Sequence, residues 1–139
     1  MESRPFKILG IEHIGIATDS LEGIENIFSE ILGIKHAGKE EVIDQKVITD
    51  IYDTGAGKLE FLKATTDDSP VAKFLDKKGK GMHHVALKVD NLSAALTYLE
   101  NKGIELIDAA PRIGAEGLSI AFLHPKSTGG VLIELCEFK

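Results

Sequence analysis

Apolar positions along the chain follow a strand-like and then a helix-like period, and the succession occurs twice. Ile11-Glu12-His13-Ile14-Gly15-Ile16-Ala17 reads as a short β-strand running into the polar Thr18-Asp19-Ser20. Leu21, Ile24, Ile27, Phe28 and Ile31 then recur at helical spacing, with Asp19 or Ser20 as N-cap and Gly33 as the stop. The pattern begins again at Met82-His83-His84-Val85-Ala86-Leu87. Leu92, Ala95, Leu96 and Leu99 follow at helical spacing, capped by Asn91 and ended by Gly103.

Superposing the two stretches at a constant offset of 71 sets His13 on His84, Asp19 on Asp90 and Leu21 on Leu92. Internal similarity of this kind marks a duplicated supersecondary unit. Strand-like runs follow each helix: around Val47 to Tyr52 and Leu59 to Lys63, then around Leu118 to Phe122 and Val131 to Cys136. Turn-forming residues separate them, Gly55-Ala56-Gly57 in one half and Pro125 to Gly130 in the other. Each half therefore reads as βαβββ, an α+β fold of two tandem modules, 8–66 and 80–139, within a single domain 1–139. A linker helix over 69–78 joins them, with Ser69 as N-cap, Pro70 at its first position and Gly79 beyond its end.

The repeat also pairs carboxylates, since Lys58-Leu59-Glu60-Phe61-Leu62 matches Leu132-Ile133-Glu134-Leu135-Cys136 at an offset of 74. Both glutamates interrupt apolar runs, where an unpaired ionised carboxylate is very costly. A divalent cation held by His13, Glu60, His84 and Glu134 answers that cost. Two nitrogens and two oxygens suit cobalt, nickel, manganese, iron or zinc better than calcium. Any one of these residues alone reads as an ordinary strand residue; four at matched places in two repeats do not. His83 points to the opposite face from His84 by strand alternation and reads as packing. His36 and His124 have no repeat partner and are read as structural, and Cys136 as a small core filler. Lys73, Lys77, Lys78 and Lys80 read first as a solvated helix face and second as a landing site for ligand phosphates. Gly55-Ala56-Gly57-Lys58 lacks phosphate-loop spacing and precedes a strand, so it is read as a hairpin turn.

Composition narrows the class further. Sixteen basic against twenty-two acidic residues give a net charge of −6, which argues against a nucleic-acid partner. Tryptophan is absent, leaving little for stacking on bases. One cysteine excludes an internal disulfide and a thiolate metal cluster. No apolar run approaches a membrane span, and the N-terminus shows no secretory pattern, so a cytoplasmic protein is expected.

These residues resemble the vicinal-oxygen-chelate superfamily, which includes glyoxalase I, extradiol dioxygenases and bleomycin-resistance proteins. Within it the chain is similar to the methylmalonyl-CoA epimerase family over nearly its whole length. The stretches Asp68 to Leu75, Gly81-Met82-His83-His84-Val85-Ala86 and Ala121 to Leu135 carry that likeness. The resemblance implies a cup-shaped mixed sheet, a homodimer and an acyl-CoA substrate. It also implies a divalent metal, cobalt first and manganese, nickel or zinc next, on His13, Glu60, His84 and Glu134. Some members carry glutamine where Glu60 stands. Some carry a glutamate proposed as a catalytic base where Thr49 stands, which leaves the second base open.

The implied reaction moves methylmalonyl-CoA between its 2R and 2S forms by proton transfer through a metal-stabilised enolate. Glu134 is the first choice for one acid/base and Glu60, its repeat-mate, the symmetric candidate for the other; Asp50, or a water near Gln45 and Thr49, are further options. The alternatives are a glyoxalase I-like lyase acting on a glutathione hemithioacetal and a metal-free ligand-binding or resistance protein.

Overall fold

The computed structural model describes residues 3–138. In chain order the strands and helices are β1 (Ile8–Ala17), a short π-helix (Asn26–Ile31), β2 (Lys35–Val42), β3 (Val47–Asp53), β4 (Lys58–Ala64) and α1 (Pro70–Lys78). Then come β5 (Gly81–Val89), α2 (Leu92–Asn101), β6 (Arg112–Ile113), β7 (Ser119–Leu123) and β8 (Ile133–Glu137). The chain divides into two compact units. One runs from His13 to His83; the other joins the segment ending at Glu12 to the residues from His84 onward.

In the first unit the hydrogen-bonded order is β2-β3-β4-β1, with β1 parallel to β4 and the remaining pairs antiparallel. In the second it is β5-β8-β7-β6, with β5 parallel to β8. The leading strand of each half thus lies beside its own last strand, the pairing that a duplicated βαβββ module produces. The fold is α+β, as the repeat implies. Thr54 closes the β3–β4 hairpin by donating its amide to the Gly57 carbonyl, and Asp53 Oδ1 accepts the Gly55 amide at 2.8 Å.

Both longer helices start where the sequence places them. Ser69 Oγ accepts the Val71 amide at 3.2 Å with Pro70 next, and Asn91 Oδ1 accepts the Ala94 amide at 3.0 Å. α2 lays Leu92, Ala95 and Leu96 on one face of its sheet against Phe6, Val89, Ala121, Leu123 and Leu135. Tyr98 adds an edge contact to Phe6 at 5.7 Å.

The first helix departs from expectation. It forms only beyond Gly23, whose φ of +81° is left-handed and interrupts a regular helical run from Ser20. Ser20 Oγ instead accepts the Glu22 amide at 3.1 Å, so neither it nor Asp19 caps the helix. The winding is wide, with the Leu32 amide reaching the Ile27 carbonyl at 2.9 Å. Ile27 and Ile31 consequently face outward, while Phe28 turns in against Phe61, ring centres 4.9 Å apart. Gly33, at φ +76°, ends the element as expected.

Candidate active site

Register decides which side chains share a face. In the first unit Gly15 pairs with Glu60, Glu60 with Ile51, and Leu62 with Thr49. His13, Glu60, Leu62, Thr49 and Ile51 therefore project from one side of the sheet, and Ile16, Phe61, Asp50 and Tyr52 from the other. On the first side His13 Nδ1 lies 3.3 Å from Glu60 Oε2, with the two residues 4% and 3% exposed. The second unit repeats the motif. Ala86 pairs with Glu134 and Glu134 with Phe122, so His84 and Glu134 share a side, and His84 Nε2 lies 3.0 Å from Glu134 Oε1. Ala86, Leu118, Ile120, Phe122 and Cys136 form an apolar cluster in this region, and the Phe122 ring meets His84 edge-on at 5.6 Å.

A carboxylate in such apolar surroundings carries a desolvation cost of several kcal/mol unless it is paired or metal-bound. Each unit thus supplies histidine and glutamate groups that could bind a metal. The pairs His13–Glu60 and His84–Glu134 are the ones expected from the repeat.

Other positions sort by what they touch. Asp50, an option for the second base, lies on the side of β3 away from Glu60. It is fully buried there, with Oδ1 2.6 Å from His36 Nε2 and Oδ2 accepting from the Tyr52 hydroxyl at 2.9 Å. Burial, and then the hydrogen bond to the Asp50 carboxylate, push the Tyr52 phenol well above its ordinary range. His36 also approaches Glu25, 3.6 Å away, and stacks at a tilt on Tyr52. It is structural, as read. So is His124, whose Nδ1 accepts the Lys126 amide at 3.1 Å at the head of a tight turn. His83 packs edge-on against Phe74, ring centres 5.0 Å apart. Cys136 is fully buried. Lys73, Lys77, Lys78 and Lys80 are all exposed; Lys78 lies over the Phe74 ring and Lys80 within 4.0 Å of Asp19.

Two acidic residues were not singled out from sequence. Glu12, next to His13, is buried, a charge inside an apolar run that could have flagged it. Glu40 is half-buried on β2 and pairs with Thr49, on the His13–Glu60 side. Its orientation depends on a bulge. His36 pairs with Tyr52 but Gly38 with Ile51, so Ala37 is the extra residue and the faces of β2 exchange there. Gly38, at φ +124°, occupies a backbone conformation that L side chains rarely adopt.

Comparison with known proteins agrees with this architecture. Residues 12–122 match the model of the glyoxalase/bleomycin resistance protein/dioxygenase superfamily. A Bacillus subtilis protein known only as YqjC is 43% identical, covering 93% of this chain and 92% of its own. The mitochondrial methylmalonyl-CoA epimerase of Mus musculus is 38% identical, covering 96% of this chain and 76% of its own. A solved methylmalonyl-CoA epimerase in complex with methylmalonyl-CoA and an ammonium ion superposes with a TM-score of 0.88 at 34% identity, covering 94% of this chain and 95% of that one. The chain belongs to the glyoxalase/bleomycin resistance protein/dioxygenase superfamily and, within it, to the methylmalonyl-CoA epimerase family of isomerases.

Proposed function

We propose that the protein epimerises methylmalonyl-CoA between its 2R and 2S forms, with His13, Glu60, His84 and Glu134 holding one divalent cation. The observation that carries this reading is the pair of buried His–Glu contacts at matched strands of the two units. Their N···O separations of 3.3 and 3.0 Å fit two neighbouring ligands of one ion, each at about 2.1 Å from it. The mixed imidazole and carboxylate donors suit cobalt, manganese, nickel or zinc. The substrate class comes from the solved relative bound to methylmalonyl-CoA.

The acidic carbon of this substrate lies between a thioester carbonyl and a carboxylate, and removing its proton places negative charge on the thioester oxygen. A bound cation supplies charge stabilisation for that oxygen, worth several kcal/mol. Glu134 takes or returns the α-proton on one side of the carbon. Glu60, its repeat-mate, is the symmetric candidate for the other side, although its place against His13 favours a ligand role. The apolar residues around Glu134, Phe122 and Ile120 among them, limit water and strengthen each charge interaction there.

Metal content and isotope exchange test the reading together. Purified protein is expected to bind about one divalent ion per chain, and His13→Ala and His84→Ala are each expected to abolish most of that binding. Solvent deuterium should enter the α-position of methylmalonyl-CoA, stop on chelation, and fall at least a hundredfold in Glu134→Gln. Full exchange by chelated protein, or turnover of a glutathione hemithioacetal in place of methylmalonyl-CoA, refutes the proposal. So does metal binding that each histidine substitution only halves, because that result means two separate sites.

A further inference from the structure

Within the first unit, the end of β4, one face of α1 and the residues just beyond β1 and α1 line a cavity of about 490 Å³. Pockets that hold small molecules have this size. Lys63 marks the side of the sheet it occupies. Alternation along β4 sets Lys63 with Phe61, opposite Glu60, and α1 packs against the same strand. The cavity is therefore separate from the His13–Glu60 pair.

Its charges are of both signs and do not neutralise one another. Lys63 on β4 and Asp76 on α1 both line it and both are exposed. Neither side chain has a hydrogen bond or ion pair among the described residues. Lys80 and Asp19 line it as well and only approach each other, at 4.0 Å, with side chains 66% and 69% exposed. α1 ends nearby at Lys78, and the partial negative charge of a helix C-terminus adds to the two carboxylates. Ala64, Ala72 and Leu75, all half-buried, make an apolar part of the wall.

This combination selects a class of ligand. A phosphate or other polyanion would meet Asp19, Asp76 and the helix end as well as the lysines. A metal cation would meet Lys63 and Lys80. A neutral apolar molecule would leave all four charges unanswered. A small zwitterion has a group for each sign. We propose that the cavity binds a free α-amino acid with an aliphatic side chain. Lys63 and Lys80 hold its carboxylate, Asp76 and Asp19 its ammonium, and Ala64, Ala72 and Leu75 receive its side chain. None of the proposed metal ligands lines the cavity, so this assignment stands or falls independently of the epimerase reading.

The test is titration of the full chain with L-leucine, read by calorimetry and by the backbone amide signals of Ala64, Ala72 and Gly79. A dissociation constant of about 1 mM or tighter is expected, with those amides shifting. N-acetyl-L-leucine lacks the ammonium and L-leucinamide the carboxylate, and each should bind about tenfold more weakly or worse. Lys63→Met should weaken L-leucine by about the same factor without weakening L-leucinamide. Asp76→Asn should weaken L-leucine likewise without weakening N-acetyl-L-leucine. Lys77→Met, exposed on α1 outside the cavity, should bind as wild type. Both cavity substitutions fall on exposed side chains, and the remaining amide signals report that the variants are folded. No shift of the three amides at about 10 mM L-leucine overturns the proposal. So does binding that both cavity substitutions leave unchanged, because L-leucine then sits elsewhere. Tighter binding of inorganic phosphate than of L-leucine would make this an anion site and overturns it too.

Discussion

Replacing Tyr52 with phenylalanine removes one hydroxyl from a fully buried site and isolates the worth of a single charge-assisted contact. Asp50 Oδ2 accepts from that hydroxyl at 2.9 Å, Oδ1 is taken by His36, and both Tyr52 and Asp50 are 0% exposed. The ring remains and can keep its contacts with Phe28 and Phe61, so little packing is lost. A hydrogen bond to a charged group contributes about 1.5–3 kcal/mol, and the carboxylate oxygen left behind is shut off from bulk solvent. We therefore expect Tyr52→Phe to destabilise the fold by about 2–3 kcal/mol. For a chain of this length that lowers the melting temperature by about 6–9 °C. Urea unfolding at neutral pH measures the first quantity and calorimetry the second. In an Asp50→Asn background the acceptor is neutral, and the same Tyr52→Phe step should cost only about 1 kcal/mol. Equal costs in the two backgrounds, or a loss below about 0.5 kcal/mol in the parent, would show that the carboxylate does not depend on Tyr52.

Two further expectations concern the titration of the same phenol and the packing at Gly114. Because the folded protein holds the Tyr52 phenol well above its ordinary value, native Tyr52 binds a proton that unfolded Tyr52 releases above pH 10. Its contribution to stability is complete below that pH and is lost as pH rises towards the folded value; in Tyr98→Phe protein, phenolate absorbance should appear only at high alkalinity or on unfolding. A Cβ added at Gly114 would come within 2.9 Å of the Ile120 side chain, itself 1% exposed. Gly114→Ala should accordingly cost about 1–3 kcal/mol through overpacking, and unchanged urea stability would mean that Ile120 has room to move.

The four proposed metal ligands were legible because duplication set each one against a partner, and because carboxylates inside apolar runs demand an explanation. Strand parity was legible too, and it places His83 and His84 on opposite sides of β5. The first helix was misread because periodicity ignores the left-handed Gly23, which delays the helix and turns Ile27 and Ile31 outward. β2 went unplaced because Lys-His-Ala-Gly-Lys-Glu-Glu-Val lacks apolar alternation; this strand is held by its pairing to β3 rather than by burying an apolar face. The engagement of Asp50 by His36 could not be read at all, since it depends on the register either side of Ala37. β6, two residues long, left no periodic trace.

The extra residue in β2 also bears on how such proteins diverge. Losing Ala37 alone would let the ladder close with the pairs on either side unchanged, whereas a one-residue slip of β2 along β3 would carry Glu40 and Glu41 to opposite sides of the sheet without changing a single side chain. Acidic groups in such a hairpin can therefore change sides by a slip of register as well as by substitution. Column-by-column comparison of relatives will misassign the acidic groups of this hairpin wherever a gap is slid by one.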